Sequence, residues 1–268
     1  MDRKVAIVTG VSSGIGRATA LELARVGYRV FGTVRSAETE VPGGVEKRVL
    51  DVRDQAAIEA VIAAILSLTH RIDLLVNNAG CSVVGALEET ETRQGQELFD
   101  VNFFGAVRVT QAVLPAMRAQ RSGRIVFVSS ILGFLPAPFM GFYAASKHAL
   151  EAYSESLDHE VRALGIRAIL VQPAYMKTRL DQNAGRAAKR VADYAAAGDR
   201  AAARVSENLR NGEDPSIVAR TILAALEAGH PRLRYPVGRS ARRLARMRSL
   251  LPVAMFDRGL RAAFDLDA

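Results

Sequence analysis

Residues 4–20 read KVAIVTGVSSGIGRATA. A short apolar run, 4–9, meets a turn with glycines at 10, 14 and 16, and a helical pattern runs on from about Ile15 to Val26. Glycines at such a turn let the chain bend tightly and let backbone approach a pyrophosphate. The helix that follows offers unpaired N–H groups and partial positive charge to that anion. An ordinary strand-to-helix turn is the alternative, since a glycine triad is a weak signal by itself. Its place at the head of a strand–helix series favours the anion-binding reading.

Working outward, strand-like runs recur at 28–34, 45–52, 71–78, 123–130 and 166–173. They are nearly continuous in Val, Ile and Leu, as strands buried on both faces are. Helical patterns lie between them at 54–68, 93–118 and 143–164, the second with a bend expected before Pro115. This alternation predicts a doubly wound α/β fold, a parallel sheet with helices on both faces. After Pro173 the pattern changes. Residues 184–206 are rich in Ala and Arg with helical character, Asp214–Pro215 reads as a helix start leading to 217–229, and 232–238 reads as a short last strand. With no internal repeat and no Gly/Ser linker, the expectation is one domain over 1–268: a cofactor-binding and catalytic core at 1–180, a substrate lid and helix at 181–230, and a strand with a basic helical extension at 231–268.

The 268 residues are 49% apolar and 24% charged, ordinary for a globular chain and unlike disordered or disulfide-stapled ones. Cys81 is the sole cysteine, so no intrachain disulfide can form. The apolar start is short and precedes glycines at once, unlike a signal peptide, and no run of about 18 apolar residues occurs. The cytoplasm is therefore the expected location, and no metal is expected. The net charge of +8 is local: residues 231–261 hold nine arginines and one acid, Asp257, while the rest of the chain balances. A nucleic-acid-binding fold usually spreads basic charge over a face and adds stacking aromatics, so no nucleic-acid partner is expected.

About 20 residues after the glycine turn, dinucleotide sites that favour NAD place an acid on the ribose. Here Val34 and Arg35 stand there, and no carboxylate occurs between Tyr28 and Ala37. An acid would repel a 2′-phosphate, whereas arginine makes charge-assisted bonds to it. NADP(H) is thus the expected cofactor. Asp51, ending the third strand run, could meet an adenine amino group or be a plain turn aspartate.

Tyr143 and Lys147 are four apart in a helical pattern and share a face. A free phenol titrates near 10, too high for acid–base work at neutrality. A cation about 4 Å away at an effective dielectric of ~20 would favour the phenolate by roughly 4 kcal/mol before burial opposes it. Ser130 ends the fifth strand run, at the sheet edge where ligands bind, though a strand-end serine is often only turn chemistry. Asn78 and Asn102 are polar groups in apolar surroundings, and for Asn78 a satisfied structural amide is the preferred reading.

Together TGVSSGIG (9–16), NNAG (77–80), Asn102, Ser130 and YAASK (143–147) resemble the short-chain dehydrogenase/reductase family, with motifs in order over about residues 4–180. The resemblance implies a Rossmann-type fold with a seven-stranded parallel sheet. It implies a catalytic set of Asn102, Ser130, Tyr143 and Lys147, with Lys147 also on the nicotinamide ribose and Asn102 holding a water in a proton relay. Cofactor contacts are implied at Gly10, Ser12, Ser13, Gly14, Ile15, Gly16, Arg35, Asp51, Val52, Asn78, Ala79, Gly80, Tyr143, Lys147, Pro173 and Thr178. It further implies a homodimer or homotetramer formed through the two long helices. One departure is Ala174 after Pro173, where the family commonly has glycine; alanine disfavours positive φ.

The segment FLPAPFMGF (134–142), together with Tyr175, Met176 and a lid reaching about Leu209, offers apolar walls. These suit a bulky apolar alcohol or ketone, such as a steroid or retinoid; core or subunit packing is the alternative for them. A catalytically idle NADP-binding regulator or scaffold is the rival function, opposed by the intact polar set. In 238–256, Leu244, Met247, Leu250 and Leu251 recur at helical spacing among arginines. A basic amphipathic helix of this kind either caps the fold or touches an anionic membrane surface.

Overall fold

A computed structural model describes residues 3–178, 184–264 and 266. The start of the expected lid, 179–183, lies outside the described residues.

Seven strands form the main sheet: β1 (Val5–Val8), β2 (Arg29–Val34), β3 (Val45–Val49), β4 (Leu74–Asn77), β6 (Gly123–Val128), β7 (Ile166–Pro173) and β9 (Arg234–Val237). Their order is β3-β2-β1-β4-β6-β7-β9, and every neighbouring pair is parallel. The winding reverses between β1 and β4. In open sheets of this kind a ligand crevice opens at that reversal, beyond the carboxyl ends of the strands. Central strands such as VAIV of β1 are wholly buried. β3, at the sheet edge, buries only Val45; Glu46 and Arg48 are half-buried and Lys47 and Val49 exposed, so VEKRV keeps its charged side chains wet.

On one face α2 (Gln55–Thr69), α4 (Gly105–Gln120) and α5 (Gly141–Val161) bury Ile58, Ile62, Val109, Val113, Leu150 and Leu157 against the sheet. On the other, α1 (Gly14–Arg25) and α7 (Ser216–Glu227) bury Leu23, Val218 and Ile222. Asp54 caps α2 by accepting from the Ala57 N–H. The doubly wound architecture is as expected.

Four local expectations change. The long helix expected over 93–118 is α3 (Thr92–Phe99), a π turn at Asp100–Phe104, and α4. α4 continues through Pro115, its buried row Val109, Val113 and Met117 holding it to the sheet, and the π turn places Asn102 at its head. Helix α6 begins at Ala192 and ends at Arg210, because Gly185–Arg186 forms a strand, β8, beside β5 (Val83–Val84). This parallel two-stranded ribbon was not foreseen. The C-terminal extension is two helices, α8 (Arg239–Leu250) and α9 (Val253–Ala263), parted at Pro252, which cannot continue α8.

A third apolar cluster lies at the carboxyl end of the sheet. It joins Leu98, Ile131, Met140, Tyr143, Val205, Leu209, Ala241 and Phe256, so α6, α8 and α9 close over the region where the crevice opens.

Candidate active site

The glycine turn is built from both sides of the winding reversal. Thr9, after β1, accepts at its hydroxyl from the N–H groups of Asn78 (2.9 Å) and Ala79 (3.0 Å). The Asn78 amide donates to the carbonyl oxygens of Thr9 (2.9 Å) and Gly10 (3.0 Å). Asn78 is therefore a structural clamp between two loops, the reading preferred from sequence. A Cβ on Gly16 would overlap the Gly10 carbonyl and the Asn78 amide nitrogen. Gly14 sits at φ +58° against Thr178. Ser13 precedes α1 in extended conformation and does not cap it with its side chain, which leaves first-turn N–H groups for an anion.

A cavity of about 860 Å³ runs from this turn to α5. Gly10, Ser12, Ser13, Gly14, Ile15, Arg35, Asp51, Val52, Asn78, Ala79, Gly80, Ser130, Tyr143, Lys147, Pro173 and Thr178 all line it; Gly16 and Asn102 stand behind the wall. Arg35 is exposed, and no acid pairs with its guanidinium among the described residues. Asp51 is held by Arg53 at 2.6 Å, and this partner keeps the carboxyl below its ordinary range. Ala174 does not take positive φ, so alanine carries no backbone strain here. A glycine cradle at a helix N-terminus, a free arginine beyond β2 and an elongated cavity fit a dinucleotide.

At the far end, Tyr143 and Lys147 are buried one turn apart on α5. The Ser130 hydroxyl, just past β6, lines the cavity with Tyr143 and favours its ionised form, and it accepts from the Leu132 N–H at 3.2 Å. The Lys147 ammonium donates to the Val128 carbonyl at 3.0 Å and stands 5.8 Å from the Tyr143 ring centre. Burial pushes the phenol up to about 12, opposed by Ser130, and pushes Lys147 down to about 8. The expected lowering of the phenol by the ammonium is therefore not realised here. The ammonium is spent on backbone, and loss of water outweighs it.

Asn102 sits in the π turn. Its amide nitrogen donates to the Cys81 carbonyl (2.9 Å) and to Ser146 Oγ (3.1 Å), and its oxygen accepts from the Cys81 N–H (2.8 Å). The side chain thus ties the loop after β4 to α5.

Sequence reading missed a buried polar group behind the site. Glu151, one turn beyond Lys147 and 3% exposed, accepts from Ser129 Oγ at 2.8 Å and from Gln172 Nε2 at 2.8 and 2.9 Å. Arg234 of β9 reaches it at 3.3 Å and also pairs with Glu155. Tyr143, Lys147 and Glu151 recur every four residues, and that periodicity was the available signal.

The remaining walls are mixed: Val84, Leu98, Leu132, Met140, Tyr175, Met176, Val205 and Leu209 are apolar, while Glu89, Gln94, Glu97, Arg186, Arg190 and Asp199 bring charge and polar groups to the same cavity. Of 134–142 only Met140 lines the cavity, while Leu135 and Ala137 pack in the cluster around it. The strap over the mouth is stitched down by Glu89, which accepts from the Val191 N–H at 2.8 Å, and by Gln94, which donates to the Arg186 carbonyl at 2.9 Å.

The short chain dehydrogenase family model matches residues 4–189. The chain is 36% identical over 264 residues to a 3-ketodihydrosphingosine reductase of Bacteroides thetaiotaomicron, covering 97% of this chain and 98% of that protein. It is 33% identical over 276 residues to estradiol 17-beta-dehydrogenase 1 of Rattus norvegicus, covering 93% and 78%. A crystal structure of a short-chain dehydrogenase from Streptomyces avermitilis superposes with TM-score 0.83 at 35% identity, over 92% of this chain and 93% of that one. A Burkholderia phymatum homologue in complex with NAD gives 0.76 at 27%, over 87% and 89%, and a metagenomic short-chain oxidoreductase in complex with NADP gives 0.69 at 28%, over 87% and 96%.

Proposed function

The chain belongs to the short-chain dehydrogenase family, and from that premise we propose that it transfers a hydride between NADP(H) and a bulky apolar ketone or secondary alcohol. The observation that carries the reading is one cavity with a glycine cradle at one end and the buried Tyr143 and Lys147, beside half-buried Ser130, at the other.

When bound, the nicotinamide supplies or accepts the hydride. Ser130 orients the substrate oxygen. Tyr143 donates its proton to that oxygen in reduction, and burial keeps the phenol protonated until it does so. Lys147 holds the ribose hydroxyls and adds positive charge beside the phenol. Asn102 positions the wall that faces them. Arg35 supports NADP: solved neighbours are complexed with NAD or NADP, so family alone does not choose, but an exposed guanidinium that makes no ion pair among the described residues, its nearby acid Asp51 being held by Arg53, favours a 2′-phosphate. The apolar part of the lining, Leu98, Leu132, Met140, Met176, Val205 and Leu209, supports the substrate class, and so do the names of two relatives, which refer to 3-ketodihydrosphingosine and estradiol.

The test is loss of NADPH absorbance with long-chain, steroid and retinoid ketones, beside thermal shifts with NADPH and NADH. Turnover with at least one apolar ketone is expected, and Tyr143→Phe should abolish it while changing NADPH affinity no more than a few-fold. Binding without turnover across the panel would favour the idle regulator, and substantial activity in Tyr143→Phe would remove the assigned proton donor.

A further inference from the structure

The uneven charge of the chain has a definite address. Helix α8 places Arg239, Arg242, Arg243 and Arg246 on one face, and Met247, Leu250 and Leu251 continue that face into a groove of about 520 Å³. No acid pairs with these four guanidiniums among the described residues. Glu213, the acid beside the helix start, accepts from the backbone N–H of Arg239 at 3.3 Å. The opposite face is already used. Ala241 is buried, and Leu244 packs in the apolar cluster that contains Tyr143 and Met140. Beyond Pro252, α9 adds Phe256 to the same cluster, with the Arg248 guanidinium over its ring. The corner between the two helices then leaves Leu250 80%, Val253 72% and Met255 58% exposed.

So α8 caps the fold with one side and presents unneutralised arginines with an apolar corner on the other. We infer that α8 and the α8–α9 corner dock on an anionic phospholipid surface. Guanidiniums match lipid phosphates and the negative surface potential, and the three exposed apolar side chains suit the boundary between headgroups and acyl chains. A nucleic acid would meet the arginines but leave that corner in water, and no aromatic stacking series accompanies it. The inner side of α8 belongs to the apolar layer around the candidate site, which suits a substrate held in lipid, though docking does not depend on that reading.

The test is co-sedimentation of the full chain with phosphatidylcholine vesicles that do or do not contain about 30 mol% phosphatidylglycerol. Binding to the anionic vesicles alone is expected. Arg239→Gln/Arg242→Gln/Arg243→Gln/Arg246→Gln should weaken it about a hundredfold or more. Arg3→Gln/Arg25→Gln/Arg93→Gln/Arg118→Gln, which removes equal charge elsewhere, should change it less than about tenfold. Leu250→Ser/Val253→Ser/Met255→Ser should still bind at low salt but be released by salt that the unaltered chain resists. Thermal melts and turnover should match the unaltered chain in all three. Absent vesicle binding, equal losses in the two arginine variants, or tighter α8-dependent binding to a DNA duplex than to vesicles would overturn the inference.

Discussion

The ammonium of Lys147 donates to the carbonyl oxygen of Val128 at 3.0 Å, so the lysine is anchored on the strand that leads to Ser130 and not on the phenol of Tyr143. Its proton is consequently governed by burial, which holds it at about 8, while the phenol is held at about 12. Carbonyl reduction needs the Tyr143 O–H, which is present throughout the neutral range, and a charged Lys147, which is present below about 8. A kcat/KM profile for reduction is expected to be level below pH 8 and to fall above it. The folded pKa lies below the usual 10.5, so the lysine opposes folding fully below about pH 8, and the opposition fades between 8 and 10.5. The melting temperature of the unaltered chain should therefore gain on that of Lys147→Met between pH 8 and pH 10. A constant difference would place the titration elsewhere.

Arg35 follows β2 with a free guanidinium, so Arg35→Asp replaces attraction for a 2′-phosphate by repulsion and gives the ribose hydroxyls an acceptor. Steady-state kinetics with both coenzymes should show the NADPH to NADH preference falling at least tenfold, a change of about 1.4 kcal/mol. An unchanged ratio would count against the phosphate contact.

Glu151 binds Ser129, the residue before Ser130, and lies one turn from Lys147, whose positive charge it favours. Glu151→Gln keeps the shape and removes the charge. It should lower kcat about tenfold with NADPH affinity within about threefold, and move the alkaline limb of the reduction profile to lower pH. Glu151→Asp should restore part of that limb. A limb that stays put in Glu151→Gln would reduce the residue to packing.

The alanine methyl of Gly16→Ala would strike a backbone carbonyl, which cannot swing aside as a side chain tip can. A loss of at least tenfold in NADPH affinity by thermal-shift titration is expected. Gly43→Ala, at a position with open space around it, should leave affinity unchanged. Equal behaviour of the two variants would mean that the turn does not cradle the dinucleotide.

The strand runs, the glycine turn and the Tyr143–Lys147 spacing were legible because each is a local pattern: apolar continuity marks a doubly buried strand, and a four-residue step marks one helix face. Sequence also located the whole net charge in 231–261. What lay beyond it joins residues far apart in the chain. Glu151 meets Ser129, Gln172 and Arg234 only because α5 packs across β6, β7 and β9. Val83–Val84 pairs with Gly185–Arg186 across a hundred residues, which cut short the helix expected from 184. The phenol sits near 12 and not below 10 because burial and the direction of one ammonium are properties of packing, and spacing along a helix carries neither.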